Sequence, residues 1–145
     1  MNMDRKKKMI LCSACLLGVE CRFDGRGKKN RQVAALVKRN ILIPICPELL
    51  GGLSVPREAA ERRGSRIMTQ SGQDVTRQFR LGAVRTLRLA KMLKIKKAIL
   101  KQRSPSCGSG QVYDGTFSGK IVAGNGVTTA LLTKNGIQVV SEDDI

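Results

Sequence analysis

Met9-Ile10-Leu11-Cys12-Ser13-Ala14-Cys15 is an apolar run that ends on a cysteine, and Ile41-Leu42-Ile43-Pro44-Ile45-Cys46 repeats the arrangement. Each run is short and bounded by polar or glycine-containing sequence, which predicts strands at 9–14 and 41–45. Pro44 marks the end of the second strand or an irregularity in it, because proline donates nothing to a ladder. Between the two lie a polar loop, 18–29, and a helix capped by Asn30 that ends near Asn40. Its apolar face is Val33, Ala34 and Val37, with Leu36 beside it.

The same alternation continues along the chain. Asp74 caps a long helix to about Leu93, with Val75, Phe79, Ala83, Leu87, Ala90 and Leu93 at helical spacing, and a third strand follows at 98–100. Gly126 opens a short helix over 127–134, Asn135-Gly136 closes it, and 137–140 is a fourth strand. Strands alternating with helices predict an α/β fold, a single three-layer sandwich on a mainly parallel, Rossmann-like sheet. Two stretches stand outside the pattern. Residues 51–73 read as a long loop, a feature that is often functional, and 104–124 is glycine- and serine-rich with a hairpin at Asp114-Gly115. A chain of 145 residues suits one domain, here 9–145 behind a basic tail, 1–8.

Composition narrows the function classes. No stretch approaches the ~20 apolar residues of a membrane span. The charged start followed by an apolar run broken by Cys and Ser reads as a strand, not a signal peptide, so a cytoplasmic protein is expected. In a reducing compartment five cysteines point to metal binding or catalysis before disulfides. The net charge of +16 suits anionic partners such as nucleotides, phosphates or RNA. It is equally what a solvated surface gives, since much of it sits in runs at 6–8, 28–31 and 85–97. With three Phe, one Tyr and no Trp, the chain is poor in the stacking residues that single-stranded RNA recognition uses.

If the sheet is parallel, Cys15, Cys46 and Cys107 all fall beyond the carboxyl ends of strands, the edge where α/β sheets bind ligands. Three separate segments then bring one thiol each to a common region. Ordinary buried thiols are the alternative. Thiolates suit iron–sulfur clusters and zinc alike. The absence of histidine removes the commonest non-thiolate zinc ligand and the usual general base. Three thiolates can hold three irons of a cubane and leave the fourth open, unlike a four-cysteine electron-transfer cluster. Cys12 reads as core and Cys21 as ambiguous, a fourth ligand or a sulfur-handling thiol.

Longer motifs then resemble one family. Ser13-Ala14-Cys15-Leu16-Leu17-Gly18 and Cys21-Arg22-Phe23-Asp24-Gly25 resemble the opening of the thiouracil desulfidases. Cys46-Pro47-Glu48, Gly51-Gly52-Leu53, Pro56-Arg57, Ser104-Pro105-Ser106-Cys107-Gly108 and Gly124-Asn125-Gly126-Val127-Thr128 continue the likeness over nearly all the chain after Met9. The resemblance implies a catalytic 4Fe-4S cluster on Cys15, Cys46 and Cys107, and non-redox removal of sulfur from a thiouracil-type base or its nucleotide. It implies an assisting acid and serine, which fall by motif position on Glu48 and on Ser104, with Ser106 as the alternative. Phe23 stands where a tyrosine is common.

For substrate binding, Arg22, Arg57, Lys101 and Arg103 are candidate anion contacts. The free amides at Asn125 and Gly126, opening a helix, are a candidate phosphate cradle. Two other functions compete: a zinc- or cluster-bearing module that binds RNA or a nucleotide, and a thiol redox protein using Cys12 and Cys15.

Overall fold

The structure is a computed structural model that describes residues 6–145. Most of the predicted basic tail therefore lies outside the described residues, and Lys8 already belongs to the first strand. Four strands build the central sheet: β1 (Lys8–Ser13), β2 (Asn40–Ile45), β5 (Lys97–Leu100) and β8 (Gln138–Ser141). They are all parallel, in the order β2-β1-β5-β8. Pro44 is tolerated within β2 because β2 is an edge strand with one unpaired side.

The pleat sends alternate residues to opposite faces, and each face is covered. On one face Leu11, Ala98 and Leu100 pack with Ala90 of α3 (Thr76–Met92) and Leu132 of α4 (Val127–Lys134). On the other, Ile10, Cys12 and Ile99 pack with Val33 of α1 (Arg31–Ala35). Three layers result. Asn30 caps α1 by accepting the Val33 amide at 3.0 Å. That helix is shorter than the sequence suggests: it tightens into a 3-10 turn at Leu36–Lys38, which turns Val37 out to solvent at 57% exposure. The long helix follows its predicted span closely, and Asp74 receives the Thr76 amide at 2.9 Å just before it.

Residues 51–73 are not a structureless loop. They contain the antiparallel hairpin β3 (Ala60–Arg63) and β4 (Arg66–Thr69), turning at Gly64 and Ser65. The pattern hides it because its inward-facing positions include a glutamate: Glu61, Ile67 and Thr69 are buried, with charged residues between. The hairpin predicted at Asp114-Gly115 is present as β6 (Gln111–Tyr113) and β7 (Ile121–Ala123). Among the described residues no helix is long and apolar enough to cross a membrane.

Candidate active site

The parallel sheet brings its cysteines to one end. β1 stops at Ser13, and a 3-10 turn over Ala14–Leu17 carries Cys15. β2 stops at Ile45, and Cys46 precedes the short helix α2 (Pro47–Leu50). Cys107 lies in the loop after β5. All three line a single cavity of about 560 Å³, together with Cys21. All five cysteines of the chain are free thiols.

Two close backbone approaches hold this edge. Gly82 of α3 faces the Pro47 carbonyl and Gly51 faces the Gln78 carbonyl, so a Cβ at either position would overlap backbone. Only glycines let α3 press directly on the Cys46-Pro47-Glu48 turn. Gly126 does the same for the other end, abutting the Ser106–Cys107 peptide. Ser104 builds the Cys107 loop, its Oγ accepting the amides of Ser106 at 3.1 Å and Cys107 at 3.0 Å.

The thiols are electrostatically coupled. Burial pushes the Cys107 thiol up to about 12, and nearby Glu48 and Cys46 add to the effect. Cys46 is raised by its hydrogen bond to Cys21 and then by burial. Cys21 is raised through its hydrogen bond with Cys15, against an opposing one with Cys46. Left to the protein alone, these groups are neutral thiols, whereas a bound cation drives coordinating thiols to thiolates.

The donor set fits a polynuclear cluster. It is all sulfur, unbridged, and drawn from separate segments around a cavity. The chain has no histidine, so the set also lacks the commonest nitrogen ligand of zinc. Zinc needs its ligands within ~2.0–2.3 Å of a single centre, whereas a cubane spreads its thiolates over separate irons. The redox alternative loses its partner. Cys12 is fully buried in the sheet core, away from the cavity, and burial lifts its thiol to about 12.

Glu48 lines the cavity and is ion-paired to Arg57. Arg57 Nε donates to Glu48 Oε2 at 2.7 Å, and its other nitrogens donate to the Cys21 carbonyl at 3.0 Å and the Ser54 carbonyl at 3.1 Å. Burial raises the Glu48 carboxyl, while the Arg57 charge and hydrogen bond pull it down.

The remaining sequence candidates separate. Ser104 lines the cavity, but Ser106 does not: it is 1% exposed and bonded to the Thr128 hydroxyl at 2.8 Å, packing the loop on α4. Asn125 and Gly126 also lie outside the cavity lining. The phosphate cradle expected there is already filled by protein. Gly126, Val127 and Thr128 give their amides to the carbonyls of Gly108, Pro105 and Ser106, and the Asn125 side chain takes the Gly110 amide.

Arg22, Arg57, Lys101 and Arg103 do line the cavity. Three of them are neutralised within the fold: Arg57 by Glu48, Lys101 by Glu142 and Arg103 by Asp143. Arg22 instead lies over the Phe23 ring, 5.9 Å from its centroid. Ser13, Tyr113 and Glu61 are among the cavity residues that the sequence does not single out. Ser13 accepts the Lys101 amide at 2.9 Å. Tyr113 is carried in by β6, and Glu61 by β3. Ser13 is the last residue of β1, a position the strand-end rule can find, whereas nothing in the local sequence marks Glu61.

A family model described as 2-thiouracil desulfurase matches residues 10–144. The protein YbbK of Bacillus subtilis strain 168 is 46% identical, over 94% of this chain and 97% of its own length. A solved structure, the 4Fe-4S-dependent thiouracil desulfidase TudS, shares 48% identity and superposes with a TM-score of 0.90, covering 97% of this chain and 93% of that one.

Proposed function

This chain belongs to the 2-thiouracil desulfurase family, and from that premise we propose that it removes sulfur from a thiolated pyrimidine such as a thiouracil. Water supplies the oxygen that replaces the thiocarbonyl sulfur, and the sulfur leaves as hydrogen sulfide with no change in oxidation state. Cys15, Cys46 and Cys107 are the residues that would hold a 4Fe-4S cluster. When bound, such a cluster supplies a thiophilic, Lewis-acidic iron without a protein ligand.

The observation that carries this reading is the meeting of three strand-end thiols and the Glu48–Arg57 pair on one small cavity. Glu48 is the acid–base group in a chain with no histidine. Burial and Arg57 act on it in opposite directions, which suits a carboxyl that takes a proton from water and returns it to the departing sulfur. Arg57 orients Glu48 and ties it to the Cys21 loop. Ser104 spends its lone pairs on two amides, so its hydroxyl proton is free to donate to the substrate.

The cavity falls within the ~300–1,000 Å³ typical of small-molecule sites. Its cations are largely paired and Glu58 and Glu61 also line it, which favours a neutral base or nucleoside over a nucleotide and over RNA. Five free thiols and a cluster suit the reducing cytoplasm.

The test is anaerobic purification followed by assay with 2-thiouracil. A brown protein that releases uracil and sulfide is expected, and a brown protein inert to both 2- and 4-thiouracil refutes the reaction. Glu48→Gln is expected to keep the cluster absorbance and lose about 10²–10⁴ in turnover. Undiminished turnover in that variant would remove Glu48 from its role.

A further inference from the structure

The chemistry proposed above draws on the sheet edge and leaves the β3–β4 hairpin, which lines the same cavity, without a task. Glu61 of β3 is 8% exposed and faces that cavity. Its Oε1 accepts two backbone amides from the turn between β6 and β7, Gly115 at 3.0 Å and Phe117 at 3.1 Å. These two bonds fix the carboxylate. Gly115, with φ 92°, sits so close to the Arg62 carbonyl that no side chain fits there.

The other oxygen, Oε2, has no hydrogen-bond or ion-pair partner among the described residues. Both neighbouring arginines are engaged elsewhere, Arg62 with the Asn125 carbonyl and Arg63 with the Gly115 carbonyl at 2.8 Å. No buried side-chain oxygen of the described residues lacks a partner. Oε2 therefore keeps accessible surface, on a side chain that lines the cavity. A carboxylate on a residue only 8% exposed, with one oxygen clamped and the other unpartnered, calls for a hydrogen-bond donor from the cavity's occupant.

A thiolated pyrimidine presents such donors, the ring N–H groups beside the carbon that bears sulfur. We propose that Glu61 is the residue that recognises the pyrimidine ring, with Oε2 accepting a ring N–H while Oε1 stays clamped to the 115–117 turn. The proposal rests on the desulfidation reading and adds a specificity rule: the substrate is a neutral heterocycle with an unblocked ring N–H. Losing a hydrogen bond to a charged group corresponds to about 10- to 100-fold in affinity.

The decisive variant is Glu61→Gln. Its amide oxygen can still accept from Gly115 and Phe117, but its NH₂ then meets the ring N–H donor to donor. In the cluster-loaded protein, absorbance and melting temperature are expected to stay unchanged. KM for 2-thiouracil and the calorimetric Kd for uracil, which lacks sulfur, are expected to rise about 10- to 100-fold, with kcat changing far less. For the unmodified protein, either 1-methyluracil or 3-methyluracil should bind as weakly as uracil binds the variant, and that methylation should cost the variant nothing more.

Wild-type affinity for uracil in a folded, cluster-loaded Glu61→Gln protein overturns the proposal. So does tight binding of both methylated bases to the unmodified protein, a result that needs no variant to fold. A protein that binds uracil through Glu61 yet leaves thiouracils intact refutes the desulfidase reading alone.

Discussion

The sheet edge and the β3–β4 hairpin line one cavity but are held in place by different forces. The edge hangs from a parallel sheet covered on both faces by aliphatic core, and its turns are set by backbone pressed on backbone at Gly82 and Gly126. The hairpin has only two strands, an arrangement with little stability of its own. Ile67 seats it on Val75 and Phe79, and polar anchors fix its first strand: Glu61 on the 115–117 amides, Arg62 on Asn125 and Arg63 on Gly115. The proposed chemistry sits on the first and the proposed recognition of the ring on the second. The difference teaches that a buried charge can complete the anchorage of a hairpin whose apolar contact is confined to one small cluster.

The largest expected effect breaks the edge and spares the hairpin. Cys107→Ser removes one of the three proposed cluster thiols, so visible absorbance and desulfidation should both fall to background. Cys12→Ala is its control, one strand position deep in the core and away from the cavity. It should lower stability by about 1 kcal/mol, a typical point-mutant cost, and leave both absorbance and turnover in place. Anaerobic spectra and thermal melts of the two variants decide the matter. A colourless Cys12→Ala protein would mean that the cysteines are not divided as the geometry divides them.

The two regions were unequally visible in the sequence for the same physical reason. Apolar runs such as 9–14 and 98–100 are legible because a doubly covered parallel strand must be hydrophobic throughout. Cys15, Cys46 and Cys107 follow from them by the strand-end rule. The hairpin is hidden because Ala60-Glu61-Arg62-Arg63 carries no apolar alternation; the buried position of that strand is a glutamate held by backbone amides from residues over fifty positions away. Such a partnership leaves no local trace. The same blindness produced the phosphate cradle at Gly126, since only the fold reveals that the 105–108 carbonyls already take those amides.

An intermediate effect should come from Gly82→Ala, in which two opposing contributions compete. Alanine in mid-helix gains about 1 kcal/mol over glycine in propensity. Here its Cβ would meet the Pro47 carbonyl, and forcing α3 away from α2 costs about 1–3 kcal/mol. The net change should be destabilising, with turnover falling further than the melting temperature suggests because Glu48 moves with Pro47. Uracil binding through Glu61 should hold, which separates the edge from the hairpin in one protein. A stabilised, fully active Gly82→Ala variant would show that the edge is softer than its packing implies.

The smallest effect probes the joint between the two regions. Asp74 follows the hairpin, bridges to Met68 of β4, and stands at the entry to α3, the helix that supports the edge. Hydrogen bonds from the Thr76 side chain and amide hold its carboxyl below the usual carboxylate range, and the Thr76 hydroxyl in turn takes the Ile67 amide at 2.8 Å. The folded chain thus favours the ionised form more than the unfolded chain does. That contribution is present above the ordinary carboxylate value of ~3.9 and is lost as pH falls through the lowered folded value. Asp74→Asn should flatten this acid limb in thermal melts while leaving the melt near pH ~7 almost unmoved, because an amide oxygen can still accept the Thr76 amide. The carboxyl is fully exposed, so solvent screens it and the shift should be smaller than that of Gly82→Ala. An unchanged acid limb would mean that Asp74 contributes no charge to the joint, which the Ile67–Phe79 packing and the Thr76 hydroxyl then hold without it.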